Sequence, residues 1–398
     1  MKDNLNFLDL FAGAGGLSEG FIQTGFRPVA HVEKEKGACF TLKTRMVYHW
    51  MKNHGDLTNY YDYLHGKISR DVLYGMAPPD VTESVINEEI SGETVTQIFS
   101  RIDKLLDGEK LELIVGGPPC QAYSLIGRSR DKNRMRGDKR NFLYKYYAEF
   151  LEKYKPRFFV FENVTGLLSS KSERGELYLD KMILLFRDAG YETEYKCLSA
   201  DDYGVLQNRK RIILIGRRDK KTGFYPEPEK WKPEGISVNE VLADLPHIKA
   251  GKGKFSPCSL KNYTGTYLKE AGIRSDSMPV TFHKARPHKE QDLEIYRIAV
   301  NKWNKKKERL DYNDLPEHLK THRNRETFTD RFKVVAGDLP IAQTVVAHIE
   351  KDGHYYIHPE IKQNRSLTPR EAARLQTFPD DYFFESATGV PGYTPAFR

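Results

Sequence analysis

A single thiol placed behind two glycines and two prolines is the most distinctive chemical feature of the sequence: Gly116-Gly-Pro-Pro-Cys-Gln-Ala-Tyr-Ser124 carries Cys120 directly after an apolar run, Leu111 to Val115. Such a loop fixes its backbone tightly, and at a strand's carboxyl end it holds a reactive group at the rim of a sheet. Thiolates attack and thiols do not, so a nucleophilic Cys120 needs positive charge or amides nearby. An ordinary buried cysteine is the commoner role for a lone Cys. The Pro-Pro-Cys-Gln setting speaks against it here.

Three further segments supply partners. Phe158-Phe-Val-Phe-Glu-Asn-Val164 ends an apolar strand in Glu162, either a salt-bridged structural carboxylate or an acid that hydrogen-bonds a heterocycle. Gln207-Asn-Arg-Lys-Arg-Ile212 offers Arg209 and Arg211, two apart and so expected on one strand face; solvated arginines are the plainer reading. Phe7-Leu-Asp-Leu-Phe-Ala-Gly-Ala-Gly-Gly-Leu-Ser-Glu-Gly-Phe21 reads as strand, glycine-rich turn and helix start, which lets a ligand approach the backbone at a helix N-terminus. Ser18 stands where the dinucleotide fingerprint needs glycine, and Phe21 where a phosphate loop needs lysine. Glu33, at the end of the next strand, lies where an acid binds ribose hydroxyls, which fits a nucleoside cofactor without a pyrophosphate. A plain tight turn is the alternative.

The elements that must position these residues alternate. Asn6 to Leu10, Pro28 to Val32, Leu111 to Val115, Phe158 to Phe161 and Ile212 to Ile215 read as buried strands. Leu17 to Gln23, Gly37 to Tyr48, Val95 to Leu106, Phe142 to Tyr154 and Leu177 to Ala189 carry helical spacing. The pattern predicts an α/β fold, a mostly parallel sheet with helices on both faces and ligands at the carboxyl ends of its strands. Tyr63 to Gly92 reads as an insertion or surface excursion. After Arg217 the alternation stops until Arg365, a stretch long enough for a second, smaller domain. Thr368-Pro369-Arg370-Glu371 has the layout of a capped helix start.

Composition narrows the class. The chain has 398 residues, a formal charge of +8 and four scattered cysteines. Cys39, Cys120, Cys197 and Cys258 form no CxxC pair and read as reduced thiols of a cytoplasmic protein. No run approaches the roughly 18 apolar residues of a membrane span, and the N-terminus lacks a signal layout. Positive charge favours a polyanionic partner, and from Ser124 to Lys145 eight basic residues face only Asp131 and Asp138. A solvated loop explains such a run equally well, except that it follows Cys120 directly. His318 and His322 share a helical spacing without a third ligand, so no metal is expected.

With these motifs in order, the sequence resembles the DNA cytosine-5 methyltransferase family, of the bacterial restriction-modification type. The matching segments are Asp9-Leu-Phe-Ala-Gly-Ala-Gly-Gly-Leu17, Gly117-Pro-Pro-Cys-Gln121, Glu162-Asn-Val164, Gln207-Asn-Arg-Lys-Arg211 and Arg365-Ser-Leu-Thr-Pro-Arg-Glu-Ala-Ala-Arg-Leu-Gln-Thr-Phe-Pro-Asp380. The resemblance implies a Rossmann-like S-adenosylmethionine-dependent domain (1–217), a target-recognition domain (218–364) and a segment (365–398) returning to the catalytic domain. It implies that Phe11, Gly13, Gly15, Gly16, Leu17, Glu33, Asp56, Leu57, Pro119 and Leu143 surround S-adenosylmethionine, Asp56 resting only on Gly55-Asp-Leu-Thr58. It implies Cys120 as the nucleophile, Glu162 at the N3 edge of cytosine, and Arg209 and Arg211 near the nucleophile and the base O2. Gln121, Arg128, Arg130, Arg134 and Arg136 would contact DNA in a closing loop.

The expected partner is double-stranded DNA with a flipped cytosine. A transfer-RNA methyltransferase of the same fold, and an inactive DNA-binding subunit needing a partner chain, are the rival readings. Family members usually continue past a segment like Tyr393-Thr-Pro-Ala-Phe-Arg398 into a glycine, asparagine and proline motif, so a truncated chain or a small complementing polypeptide is expected. Weak cofactor binding by the isolated chain goes with that expectation.

Overall fold

The structure is a computed structural model and describes residues 5–119, 142–219, 221–275, 278–327, 329–393 and 396. The chain divides into two compact units. One comprises Met1–Asp56, Asp71–Ser199 and Lys210–Glu229; the other comprises Leu57–Arg70, Ala200–Arg209 and Lys230–Arg398.

The first unit is built on seven strands: β1 (Asn6–Leu10), β2 (Arg27–Glu33), β3 (Val85–Asn87), β4 (Leu113–Gly116), β5 (Phe158–Val164), β6 (Glu192–Ser199) and β7 (Lys210–Arg217). Their order is β3-β2-β1-β4-β5-β7-β6. Every pairing from β3 to β5 is parallel, and β7 runs antiparallel to both of its neighbours. The order reverses between β1 and β4, the place where such sheets leave a crevice. β1 is buried along its whole length, as its uninterrupted Phe7-Leu-Asp-Leu10 run requires of a strand covered on both faces.

Helices α1 (Gly16–Gln23) and α2 (Lys36–Asn53) follow β1 and β2; α6 (Val95–Leu106), α7 (Leu143–Tyr154) and α8 (Tyr178–Asp188) follow later. Between α2 and α6 lie α3 (Thr58–Leu64), α4 (Arg70–Tyr74) and α5 (Pro79–Glu83). Ile98, Ile102, Tyr147, Leu151, Met182 and Phe186 bury one face of the sheet with Leu8, Ile114 and Phe161. On the other face Phe7, Leu113 and Val115 pack against Leu17, Phe21 and Phe26. The segment read as a surface excursion, Tyr63 to Gly92, also supplies the edge strand β3. Three residues are too short for periodicity to register, and pairing with β2 is what makes them a strand.

The second unit contains α9 (Tyr267–Glu270), α10 (Glu290–Lys306), α11 (Pro369–Arg374) and a small ribbon of β8 (Gly253–Lys254) and β9 (His283–Lys284). α11 begins with the anticipated capping box: Thr368 accepts from the Glu371 N–H, and Glu371 accepts from the Thr368 N–H. Arg365, Arg370 and Arg374 are buried beside it. Arg374 forks onto Asp380 at 2.8 and 2.6 Å and also binds Asp244; Arg365 forks onto Glu371 at 2.7 Å through both terminal nitrogens. These pairs tie the segment from Arg365 onward into the second unit. α10, a 17-residue helix, lies in a stretch where no alternation was expected; it buries Ile295, Tyr296, Ala299, Val300 and Trp303.

Candidate active site

Register places the first unit's motif residues in one row. Val32, Leu10, Gly116 and Phe161 are mutual partners across β2, β1, β4 and β5. The next residue of each strand is Glu33, Phe11, Gly117 and Glu162, so parallel pairing alone carries four distant motifs to the same carboxyl rim. Asn87 joins the row at its far end, opposite Glu33.

At the glycine loop the chain turns sharply. Phe11 sits at φ 59°, Gly13 at 56° and Gly15 at 87°. Left-handed geometry at Phe11 is strain that a non-glycine residue holds only where its surroundings fix it. Gly15 caps α1 in that same geometry and is buried, while Phe11 and Leu17 are half-buried and Gly16 is exposed. Glu33 accepts the Gly13 N–H at 2.8 Å through Oε2 and the Glu35 N–H at 2.8 Å through Oε1. Its carboxylate is thereby locked at the rim. Beneath the loop, buried Asp9 accepts a hydrogen bond from Ser18 of α1. Burial pushes the Asp9 carboxyl up to about 7, the Ser18 bond opposing and the charge of Glu33 adding to it.

Glu162 meets Arg211, whose Nε lies 2.6 Å from Oε1. Arg211 faces Val164 across β5 and β7, two residues along from the Glu162–Ile213 pair. Of the two readings of Glu162, the structure thus shows the ion pair. On its other side the carboxylate lies against Gly117: a Cβ there would be 2.7 Å from Oε2. Asn163 is buried and its Nδ2 reaches the Pro118 carbonyl at 3.4 Å.

Other expected residues are placed differently. Asp56 is exposed past the far end of α2, whose 18 residues put about 27 Å of helix between it and Glu33. Asn87 is the neighbour of Glu33 instead, donating through Nδ2 to the carbonyls of Glu33 at 3.1 Å and Lys34 at 2.9 Å. No sequence signal pointed to Asn87, because β3 was not recognised. Arg209 stands one residue before β7, which begins at Lys210, and its carbonyl accepts from the Ala200 N–H at 2.9 Å. Buried Gln207 holds this approach, donating to the Leu375 carbonyl at 3.0 Å and accepting from the Val345 N–H at 3.0 Å. Leu57 and Leu143, at the N-terminal ends of α3 and α7, are half-buried, as is Pro119. Cys120, Gln121, Arg128, Arg130, Arg134 and Arg136 lie outside the described residues.

A cleft of about 820 Å³, lined by Asp103, Lys110, Lys153, Tyr154, Arg157 and Arg218, opens at the opposite, amino ends of β4 and β5 and holds none of the motif residues. Among the described residues no group of three or more His, Cys, Asp or Glu side chains could hold a metal ion, and no helix is long and apolar enough to cross a membrane.

Comparison with known proteins adds to this geometry. The sequence pattern of the C-5 cytosine-specific DNA methylases matches residues 5–79 and 86–394. The type II methyltransferase M.Bpa9945I of Bacillus paralicheniformis is 42% identical over 413 residues, covering 95% of this chain and 92% of that protein. M.DdeI of Desulfomicrobium norvegicum is 28% identical over 396 residues, covering 96% and 80%. Among solved structures, a DNA modification methyltransferase encoded in an E. coli prophage superposes with a TM-score of 0.57 at 22% identity, covering 96% of this chain and 90% of that one, a likeness of fold.

Proposed function

The chain belongs to the C-5 cytosine-specific DNA methylase family and is a DNA cytosine-5 methyltransferase; from that premise we propose that it methylates a cytosine flipped out of a specific site in duplex DNA, with Cys120 as nucleophile. The observation that carries the site assignment is the rim row, in which Glu33, Phe11, Gly117 and Glu162 follow one register line.

The glycine loop fits S-adenosylmethionine. Gly13 has open space where a Cβ would stand, and Glu33 keeps lone pairs for ribose hydroxyls after accepting two backbone N–H groups. Phe11, Gly13, Gly15, Gly16, Leu17, Glu33, Pro119 and Leu143 would hold it. Asn87, paired opposite Glu33, would join them, whereas Asp56 lies beyond the far end of α2. Bound there, the cofactor supplies an electrophilic methyl group to carbon 5.

The protein's own residues prepare that carbon. The Cys120 thiolate forms a bond to carbon 6 of the ring, and the electron pair displaced from the 5,6 double bond is taken up toward N3, where Glu162 supports the base. Carbon 5 becomes nucleophilic as a result. Arg211 fixes the Glu162 carboxylate and Gly117 leaves it room. After methylation, a water removes the proton on carbon 5, and the carbon–sulfur bond breaks to return the thiolate. Extrusion of the base costs a few kcal/mol, repaid by contacts to the flipped nucleotide. Gln121, Arg128, Arg130, Arg134 and Arg136 would close over the phosphates.

We read residues 1–217 as the catalytic domain and 218–364 as the target-recognition domain, acting on cytoplasmic DNA in a restriction-modification setting. The test is a duplex carrying 5-fluorocytosine, whose carbon 5 cannot lose its substituent as a proton. The wild type should form a denaturation-resistant adduct with it, and Cys120→Ser should not. An adduct with Cys120→Ser, or adduct formation on transfer RNA and not on DNA, would overturn the reading. Bisulfite sequencing of DNA from expressing cells then gives the recognition site.

A further inference from the structure

Between Asp244 and Glu270 the sequence has no acidic residue, and between Asp276 and Glu290 again none, in a chain of which 30% is charged. The second unit brings these two stretches together. β8 and β9 pair antiparallel, Gly253 opposite Lys284 and Lys254 opposite His283. The pairing extends past the strands through N–H donation from Gly251 to Arg286 at 2.8 Å, Ala285 to Lys252 at 2.8 Å, Phe282 to Phe255 at 2.9 Å and Cys258 to Val280 at 2.9 Å. Its base is rooted: His283 is buried with Nε2 2.8 Å from the Pro246 carbonyl, and the Phe255 ring packs 5.9 Å from Phe282 and 5.2 Å from Tyr393. One end is a turn closed by the Lys252 N–H on the Lys249 carbonyl at 3.0 Å, with Gly251 and Gly253 at φ +74° and +88°. A Cβ on Gly253 would lie 2.2 Å from the His283 carbonyl oxygen, so that position must stay bare.

Lys249, Lys252 and Lys254 are exposed and Lys284 partly so, and none of them has an ion-pair partner among the described residues. Four lysines elsewhere in this unit are paired, Lys302 with Asp314 at 2.7 Å, Lys307 with Asp338 at 2.6 Å, Lys320 with Glu317 at 2.8 Å and Lys333 with Asp330 at 2.9 Å, and serve as a contrast to the ribbon. Like charges gathered on a fixed ribbon repel one another, and a polyanion relieves that repulsion. We propose that this ribbon, residues 249–255 and 280–286, holds the sugar-phosphate backbone of duplex DNA through Lys249, Lys252, Lys254 and Lys284. The side chains select backbone over bases. An ammonium group is a point charge that meets a phosphate from many directions, whereas base edges call for the fork of arginine or the amide of asparagine and glutamine. Arg286, the ribbon's one guanidinium, is buried with Nη2 on the Glu350 carbonyl at 2.6 Å. The inference rests on duplex DNA being the substrate, and adds a contact that does not depend on the sequence recognised.

The test titrates the full chain against a labelled duplex over a range of salt. Replacing all four lysines together (Lys249→Gln, Lys252→Gln, Lys254→Gln, Lys284→Gln) should lower the slope of log Kd against log salt by about 0.9 per lost phosphate contact. Duplexes with and without the methylation site should weaken alike. The paired variant Lys302→Gln with Lys307→Gln should keep the wild-type slope. A fall of less than about 1 in slope, or a loss confined to the duplex carrying the site, overturns the proposal. Should the fourfold variant melt early, Lys252→Gln with Lys284→Gln is read against the same limit. A wild type that neither binds nor methylates duplex DNA overturns the substrate reading instead.

Discussion

Glu162 is held from two sides, by the Arg211 guanidinium at 2.6 Å and by the backbone of Gly117, where even a methyl group would lie 2.7 Å from Oε2. Both neighbours therefore position the carboxylate that the proposed mechanism sets against the base. Arg211→Ala should lower the methylation rate about hundredfold, the low end of what a positioned acid–base group contributes. Cofactor affinity, read by calorimetry, should stay at the wild-type value, because Glu33 and the glycine loop belong to other strands of the row. Gly117→Ala should give a comparable loss by displacing Glu162, and Arg211→Lys should restore little, since a single ammonium cannot reproduce the Nε contact. Wild-type turnover by Arg211→Ala would show that the ion pair is incidental.

At the scale of elements, α11 shows how a local signal and a tertiary one differ in weight. Thr368 and Glu371 close the capping box, and Glu371 is also the buried partner of Arg365. Thr368→Ala removes a cap, worth about 1 kcal/mol. Glu371→Ala removes the carboxylate that accepts the Thr368 N–H and leaves a fully buried guanidinium without its partner, a loss of about 3–5 kcal/mol. Urea denaturation of the two variants should therefore differ severalfold in destabilisation. Equal losses would mean that water or the neighbouring Gln363, whose Oε1 lies 2.7 Å from Arg365 Nη2, compensates the missing carboxylate.

Across the whole molecule, buried histidines set the response to acid. Burial holds His31 at about 3, His358 at about 3 and His288 at about 4, with Arg365 adding to the effect at His358 and His354 at His288, against an ordinary 6.5. His358 stays neutral although Glu371 is 3.6 Å away, because Arg365 already occupies that carboxylate. Below 6.5 the unfolded chain takes up these protons and the folded chain does not, so stability falls as pH drops from 6.5 toward 4. Each group costs about 2 kcal/mol at pH 5 by linkage. Asp9 runs the other way: raised from 3.8 to about 7, it binds its proton in the folded state first and loses its contribution as pH rises through that window. It offsets about one of the three histidines. Melting temperature should accordingly fall from pH 6.5 to 4.5, more steeply in Asp9→Asn and less steeply in His31→Leu. A flat profile would contradict the burial of these rings.

The sequence by itself determined the family motifs and the strands that carry them. Gly117-Pro-Pro-Cys, Glu162 and the glycine loop are local patterns, and β1 and α6 follow from apolar runs and helical spacing that need no partner to be read. Thr368 and Glu371 were legible for the same reason, as a cap is made within one turn. What the tertiary structure decided is everything that depends on pairing. β3 is three residues long and exists only beside β2, which is why no local pattern placed Asn87 next to Glu33. Gln207, a few residues before β7, buries its amide between the Leu375 carbonyl and the Val345 N–H, partners that no local pattern names. The lysine ribbon joins residues about thirty apart, across a gap no periodicity spans. Short-range order is written in residue types, whereas contacts distant in the chain are fixed only when packing brings the partners together.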